Sequence, residues 1–238
     1  KGFIIEAESE VYISVRANSD GQQYQAGALV SKGTSGLGTR FRAGMLQNQN
    51  SSHIGFISAM ASEDLTELTF SFTKSMETIG GPKIIASPLV VSLNKGESYI
   101  LASQGGSGNE LIGTLLTSNK PIAVNTGSFN GSNLNNVLYN AGGQDIGFDQ
   151  IVPSEIIGNE YIFVRGLGPD EIERPLIVAH ENDTEVYVNG LIYTTLQAGE
   201  FVFIDSTEYG ESFSILNYDF PGNVNDNSYP PIPELTFD

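Results

Sequence analysis

The 238-residue chain has no cysteine and no tryptophan, two histidines, and 11 lysines and arginines against 28 acids. Without cysteine there is no disulfide framework and no thiolate metal or redox site. With a formal charge of −17 the chain lacks the basic face that nucleic-acid binding needs. No run of about 18 apolar residues occurs, so no helical membrane span and no direct membrane insertion is expected. The chain also lacks a basic stretch leading into an apolar one at its start, the pattern of a secretory signal. Its opening residues, Lys1-Gly2-Phe3-Ile4-Ile5, read as a strand already under way, and we expect a mature or excised segment of something longer.

What is present points to a β-protein. Hydrophobic residues make up 39% of the chain, enough for a core, while charged residues make up only 16% against a typical ~25%. The polar surface is therefore mostly Ser, Thr, Asn, Gln and Gly. Apolar residues fall in short runs rich in Val, Ile, Phe, Tyr and Thr, such as 10–15, 67–72, 121–124 and 184–188. That is strand composition at strand length. No window of a dozen residues keeps a helical apolar period without a Gly or Pro break. The charge is uneven: residues 175–238 hold 11 acids and no Lys or Arg. Such a stretch reads as a solvated acidic face.

The chain also repeats itself. Residues 177–188 and 57–70 each read as a strand, a short acidic turn, Thr-Glu, then a second strand; 4–13 and 115–124 are weaker copies. Second strands then begin near Val11, Leu68, Ile122 and Val186, in steps of 57, 54 and 64 residues. A longer period is closer residue by residue. Val91–Ile100 matches Thr194–Phe203 at 103 residues, and Leu37–Phe41 matches Ile157–Tyr161 at 120. A four-stranded unit every 55–60 residues or so fits a β-propeller blade; a longer unit every ~115 residues fits tandem β-sandwiches. The propeller-like reading is favoured, with Glu211–Leu216 pairing back to the N-terminal strand and closing the ring. The expected organisation is one repeat domain over 1–220, with an internal boundary near 114, and an irregular Pro-rich tail over 221–238.

Candidate chemistry is sparse. His53 sits in a polar loop and His180 at a strand end beside Glu181, Asn182 and Asp183; both read as surface turn histidines rather than ligands or bases. Asn223, Asn225, Asp226 and Asn227 resemble half of a calcium loop but lack its bidentate glutamate. No cofactor is expected, calcium being the one ion in view. The glycines of Gly33-Thr-Ser-Gly-Leu-Gly38 are not followed by Lys-Ser/Thr or a helix, so they read as turn residues rather than a phosphate cradle. Sequons stand at Asn50 and Asn182 and carry no further signal. Arg40 and Arg42 flank Phe41. No catalytic residue, binding residue or metal ligand is assigned.

Several strings carry a family resemblance: residues 26–44 (Ala-Gly-Ala-Leu-Val-Ser-Lys-Gly-Thr-Ser-Gly-Leu-Gly-Thr-Arg-Phe-Arg-Ala-Gly), 93–99, 111–124, and 147–153 with 158–161. Together they resemble the N-terminal domain family of IgGFc-binding proteins over about residues 3–216. The version here is similar to those in very large secreted proteins of Bacteroidota, often of gliding or adhesion systems with type IX secretion. It lacks the cysteines of the animal members. The resemblance implies a non-enzymatic extracellular binding or scaffolding module of a cell-surface adhesin or filament protein. Its partners would be other surface proteins or glycans, with divalent cations bridging to acidic surfaces. The alternatives are an acidic secreted glycan-active hydrolase and a purely structural assembly subunit.

Overall fold

A computed structural model describes residues 2–18, 26–46, 52–72, 76–79, 84–85, 87–104, 110–131, 145–163 and 175–204. Among these there is no α-helix, and the all-β expectation holds. The strands are β1 (Ser14–Asn18), β2 (Ala26–Val30), β3 (Leu37–Arg42), β4 (Ile54–Ala61), β5 (Thr66–Ser71), β6 (Met76–Glu77), β7 (Ile84–Ile85), β8 (Leu89–Leu93), β9 (Ser98–Gln104), β10 (Leu115–Gly131), β11 (Asp145–Ile151), β12 (Leu176–Val178), β13 (Thr184–Val188), β14 (Leu191–Leu196) and β15 (Phe201–Phe203).

Seven of these form one sheet, ordered β8-β5-β10-β4-β9, with β3 and β11 also on β10. It curls into a nearly closed, barrel-like body. The long strand β10 makes this geometry. Its first half, residues 115–118, pairs β5 on one edge, while Leu115–Thr117 pair β3 on the other. Its second half, from Ile122, pairs β4 on the first edge, and from Val124 it pairs β11 on the second. On the first edge the hand-over falls at residues 118–121; on the second, β3 still pairs Ile122 and Ala123 before β11 takes over at Val124. Pro121 has no N–H to give a ladder, and the β3 register slips there. β4 and β5 do not pair with each other, nor do β8 and β9; each of the two turns crosses the same corner and sends one strand to either half.

Residues 115–124 therefore form one bent strand, where the sequence suggested strand, turn and return strand. The Asn-Lys-Pro signal is a local one. What overrides it is the partners: the side chains of Asn119 and Lys120 bond the β4–β5 turn instead of closing a hairpin of their own. Asn119 accepts from the Glu67 N–H at 2.8 Å, and the Lys120 ammonium donates to the Asp64 carbonyl at 2.6 Å. Residues 4–13 likewise make no hairpin; none of them lies in a strand. The short steps of 57, 54 and 64 thus have no counterpart in the strand pairing. The described strands form a seven-stranded sheet and four two-stranded pairs, an arrangement that does not display four-stranded blades.

The longer period does recur, down to single hydrogen bonds. In β4–β9 Ala59 faces Tyr99, and in β12–β15 Ile177 faces Val202. In β5–β8 Thr66 faces Leu93, and in β13–β14 Thr184 faces Leu196. These are the same registers shifted by 118 residues on one strand and 103 on the other. Ala61 accepts from Gly96 and donates to the Glu97 carbonyl; Ala179 does both with Gly199 and Glu200. The carboxylates of Glu97 and Glu200 take the N–H groups of Asn94 and Gln197, each at 2.8 Å. Gly96 and Gly199 sit at φ +76° and +86°, where glycine alone is unstrained. The match of Leu37–Phe41 with Ile157–Tyr161 fares differently. Phe41 is fully buried opposite Leu116, whereas Tyr161 is 76% exposed and no ladder forms around it.

The core lies inside the curled sheet. Thr66, Leu68 and Phe70 of β5 face inward at every second position, as pleating requires. They meet Phe41, Ile57, Leu101, Leu116, Ile122 and Val124, all essentially without exposure. Leu116→Ala is expected to destabilise the protein by about 2–5 kcal/mol, read as a lower denaturant midpoint at unchanged slope.

Candidate functional site

Two places gather functional chemistry, and both join segments remote in sequence. The first is an open groove of about 410 Å³ between the β1–β2 hairpin and β11. It forms because β2 runs hard against β11: a side chain on Gly27 would strike the Ile146 carbonyl and the Phe148 ring. Below the groove, Gln150 is buried and its amide oxygen accepts the Lys32 N–H at 2.6 Å. The Lys32 ammonium meets Asp149 at 2.7 Å. That pair is half exposed and contributes roughly 0–1 kcal/mol. It occupies one cation of the groove and leaves Arg16 as the positive group beside Ser14. Tyr12, 78% exposed, and Phe148 supply aromatic surface. An aromatic, hydroxyl and guanidinium set suits a sugar or an acidic peptide, by stacking, hydrogen bonding and charge.

The second place is a seam where β12 and β15 meet the seven-stranded sheet. Leu176, Val178 and Phe201 pack on the main core. A side chain on Gly113 would run into the Gly199 carbonyl, so the two backbones touch there. Arg42, at the end of β3, fastens the seam: it donates to the Gly113 carbonyl at 2.9 Å and to the His180 carbonyl at 3.0 Å. Alternation along β3 explains why: Phe41 enters the core, so the two arginines flanking it turn the other way. Burial, and then the charge of Arg40, lower the Arg42 pKa from its ordinary value, with Glu181 opposing.

The seam also corrects the reading of both histidines. His180 has a side chain only 15% exposed and its Nδ1 is buried without a hydrogen bond. Its Nε2 lies 3.7 Å from a Glu181 oxygen. Burial, with Arg40 and Arg42, outweighs Glu181 and Glu155 and lowers its pKa. It is therefore neutral at neutral pH, and its contact with Glu181 is no ion pair. His53 is 1% exposed at the foot of β4, its pKa lowered by burial. Neither is a surface turn residue. No group of three His, Asp or Glu able to hold a metal occurs among the described residues.

The other sequence candidates are dispersed. Asn182 spends its side-chain oxygen on the Ala198 N–H at 3.1 Å. Residues 33–36 form a 3-10 turn leading into β3, and a side chain on Gly38 would meet the Pro153 ring. Asn50, the calcium-like residues 223–227, the segment 211–216 and the tail lie outside the described residues. Tyr12, Arg16 and Phe148 carry no signal as a set in the sequence, because Tyr12 and Phe148 are joined only by strand packing.

The histidine environments fix a pH dependence. Their folded pKa values lie below that of the unfolded chain, near 6.5, so unfolding takes up protons at acid pH. The stability they contribute is complete above about pH 6.5 and declines as pH falls below it. His180→Asn is expected to flatten the loss of thermal stability between pH 7 and 5, measured by melting at each pH.

No helix among the described residues is long and apolar enough to cross a membrane. No curated protein and no solved structure matches the chain. A family model does, that of the IgGFc binding protein, over residues 26–220. That span starts at β2 and takes in the whole barrel-like sheet, the seam and β12–β15, and the chain belongs to this family of binding modules.

Proposed function

We propose that the chain is a non-enzymatic extracellular module that binds and scaffolds within a large bacterial surface adhesin or filament protein. The observation that carries the reading is the family match over residues 26–220. The arrangement of the molecule supports it. A β-scaffold without covalent staples holds an open groove whose walls come from separate strands, and rigid scaffolds with such surfaces are where recognition sits. The finer architecture in this reading is a tandem of barrel-like units. The set β4, β5, β8, β9 and the set β12, β13, β14, β15 would be two copies, with the internal boundary near 114 at the seam. The groove's side chains support one ligand class, an acidic peptide or a glycan lying across Tyr12, with its anion or hydroxyls towards Arg16. The excess of acid elsewhere on the chain repels other acidic surfaces, so docking to those would need a divalent cation as bridge.

The test is a binding screen of the intact chain against immobilised IgG Fc and a panel of mucin-type glycans, with and without calcium. Saturable binding is expected, weakened by Tyr12→Ala by about tenfold or more, equivalent to ~1.4 kcal/mol. No binding to any probe, or binding that Tyr12→Ala and Arg16→Glu both leave intact, would overturn the assignment.

A further inference from the structure

The N-terminal segment repeats the spine strand β10. Shifting residues 2–18 by 111 positions lays Gly2 on Gly113, Ile5 on Leu116, Val11 on Ile122 and Ser14 on Asn125. Two observations show that this alignment is structural. In β1–β2, Ser14 faces Val30 and Val15 faces Leu29; in β10–β11, Asn125 faces Gln150 and Thr126 faces Asp149, the same register. Gly2 donates to the Gly96 carbonyl at 3.2 Å, and Gly113 lies against the carbonyl of Gly199, the counterpart of Gly96. Each spine strand therefore begins against the β8–β9-type turn of the unit that follows it.

The difference is in what surrounds the two strands. Leu116 and Ile122 are fully buried between β3, β4 and β5, whereas Ile5 and Val11 are 64% and 63% exposed, and Phe3 is 90% exposed. The other end of the molecule shows the complementary feature. β13 pairs β14 as β5 pairs β8, but among the described residues no strand lies on its other edge, the edge on which β5 receives β10.

We infer that residues 2–13 are a donor spine strand for a second copy of this chain, docking antiparallel on the outer edge of β13. Transferring the β10–β5 register, in which Leu116 faces Phe70, Thr117 faces Thr69 and Ser118 faces Leu68, sets Ile5 opposite Val188, Glu6 opposite Tyr187 and Ala7 opposite Val186. The seam identifies the occupant. One molecule's second unit would then meet the next molecule's first unit as the two units meet inside one chain, with a glycine backbone contact at each junction. Such a head-to-tail contact is heterologous and propagates rather than closing as a two-fold dimer. Charge opposes it at low salt. Lys120 pairs Glu63 at 3.9 Å within the chain, but its counterpart is Ser9, and Glu6, Glu8 and Glu10 would approach Glu181, Asp183 and Glu185. Association therefore strengthens as salt screens these acids, the screening length falling to ~3 Å at about 1 M.

The absence of native cysteine makes the register testable by cross-linking. Full-length Glu6→Cys and Tyr187→Cys chains, both substituted at exposed positions, are mixed and oxidised in about 1 M salt. A disulfide-linked heterodimer is expected. It should be far weaker when Val11→Cys replaces Glu6→Cys, and lost when Ile5→Asp is added to the Glu6→Cys chain. The chain carrying both Glu6→Cys and Tyr187→Cys should give a ladder of oligomers. Equal cross-linking from the Val11→Cys chain, no heterodimer, or a disulfide confined to single molecules of the double variant would each overturn the inference.

Discussion

The structure depends on the pairing of a single strand. β10 runs for 17 residues and exchanges backbone hydrogen bonds with four partners, two on each edge. A straight strand would keep one neighbour on each edge. The hand-over at residues 118–121 lets one strand belong to both halves of the barrel-like sheet, with its inward residues Leu116, Ile122 and Val124 in one core. Without disulfides, cohesion comes from this pairing and from apolar burial. The turns at 62–65 and 94–97 close over the corner and satisfy polar backbone that the bend exposes. Asn94 accepts the Leu65 N–H, Asp64 accepts the Lys95 N–H, and Pro121 accepts the Ser62 N–H.

The same constraint links fold to function. Because β10 carries β11 on its second half, β11 is held where β2 can pack on it, and the groove of Tyr12, Arg16 and Phe148 opens between them. Because β10 is preceded by the Gly113 backbone, its start is fixed against Gly199, and the second strand set is fastened to the first through Arg42. The acids that give the chain its net charge sit in part in these turns, where Glu97 and Glu200 serve as acceptors for backbone N–H groups. There they hold the turns closed.

Much of this was legible in the sequence, for identifiable reasons. Thr184–Val188 reads as a strand because alternation and β-branched content are local signals, and it holds to the residue. The period of 103 residues held because it rests on turn chemistry, Asn-x-Gly-Glu against Gln-x-Gly-Glu, that must be repeated for the turn to close. The short period did not hold. Asn119-Lys120-Pro121 carries the signature of a turn, but whether the chain reverses there depends on the strands waiting on either edge. The burial of His53 and His180 was hidden for a similar reason: polar neighbours in sequence suggested solvent, while strand packing supplied the cover. The groove was illegible because Phe148 and Asp149 reach Tyr12 and Arg16 only through the packing of β11 on β2.

In this structure β10 couples the two halves of the sheet into one cooperative body. Native-state amide hydrogen exchange along residues 115–128 tests it directly. The amides of 115–118 and of 122–128 are expected to exchange at the same slow rate, through global unfolding alone. Protection that differs between the two segments by the margin of an independent opening would contradict it, and would mean that the corner is a hinge between separately stable sheets.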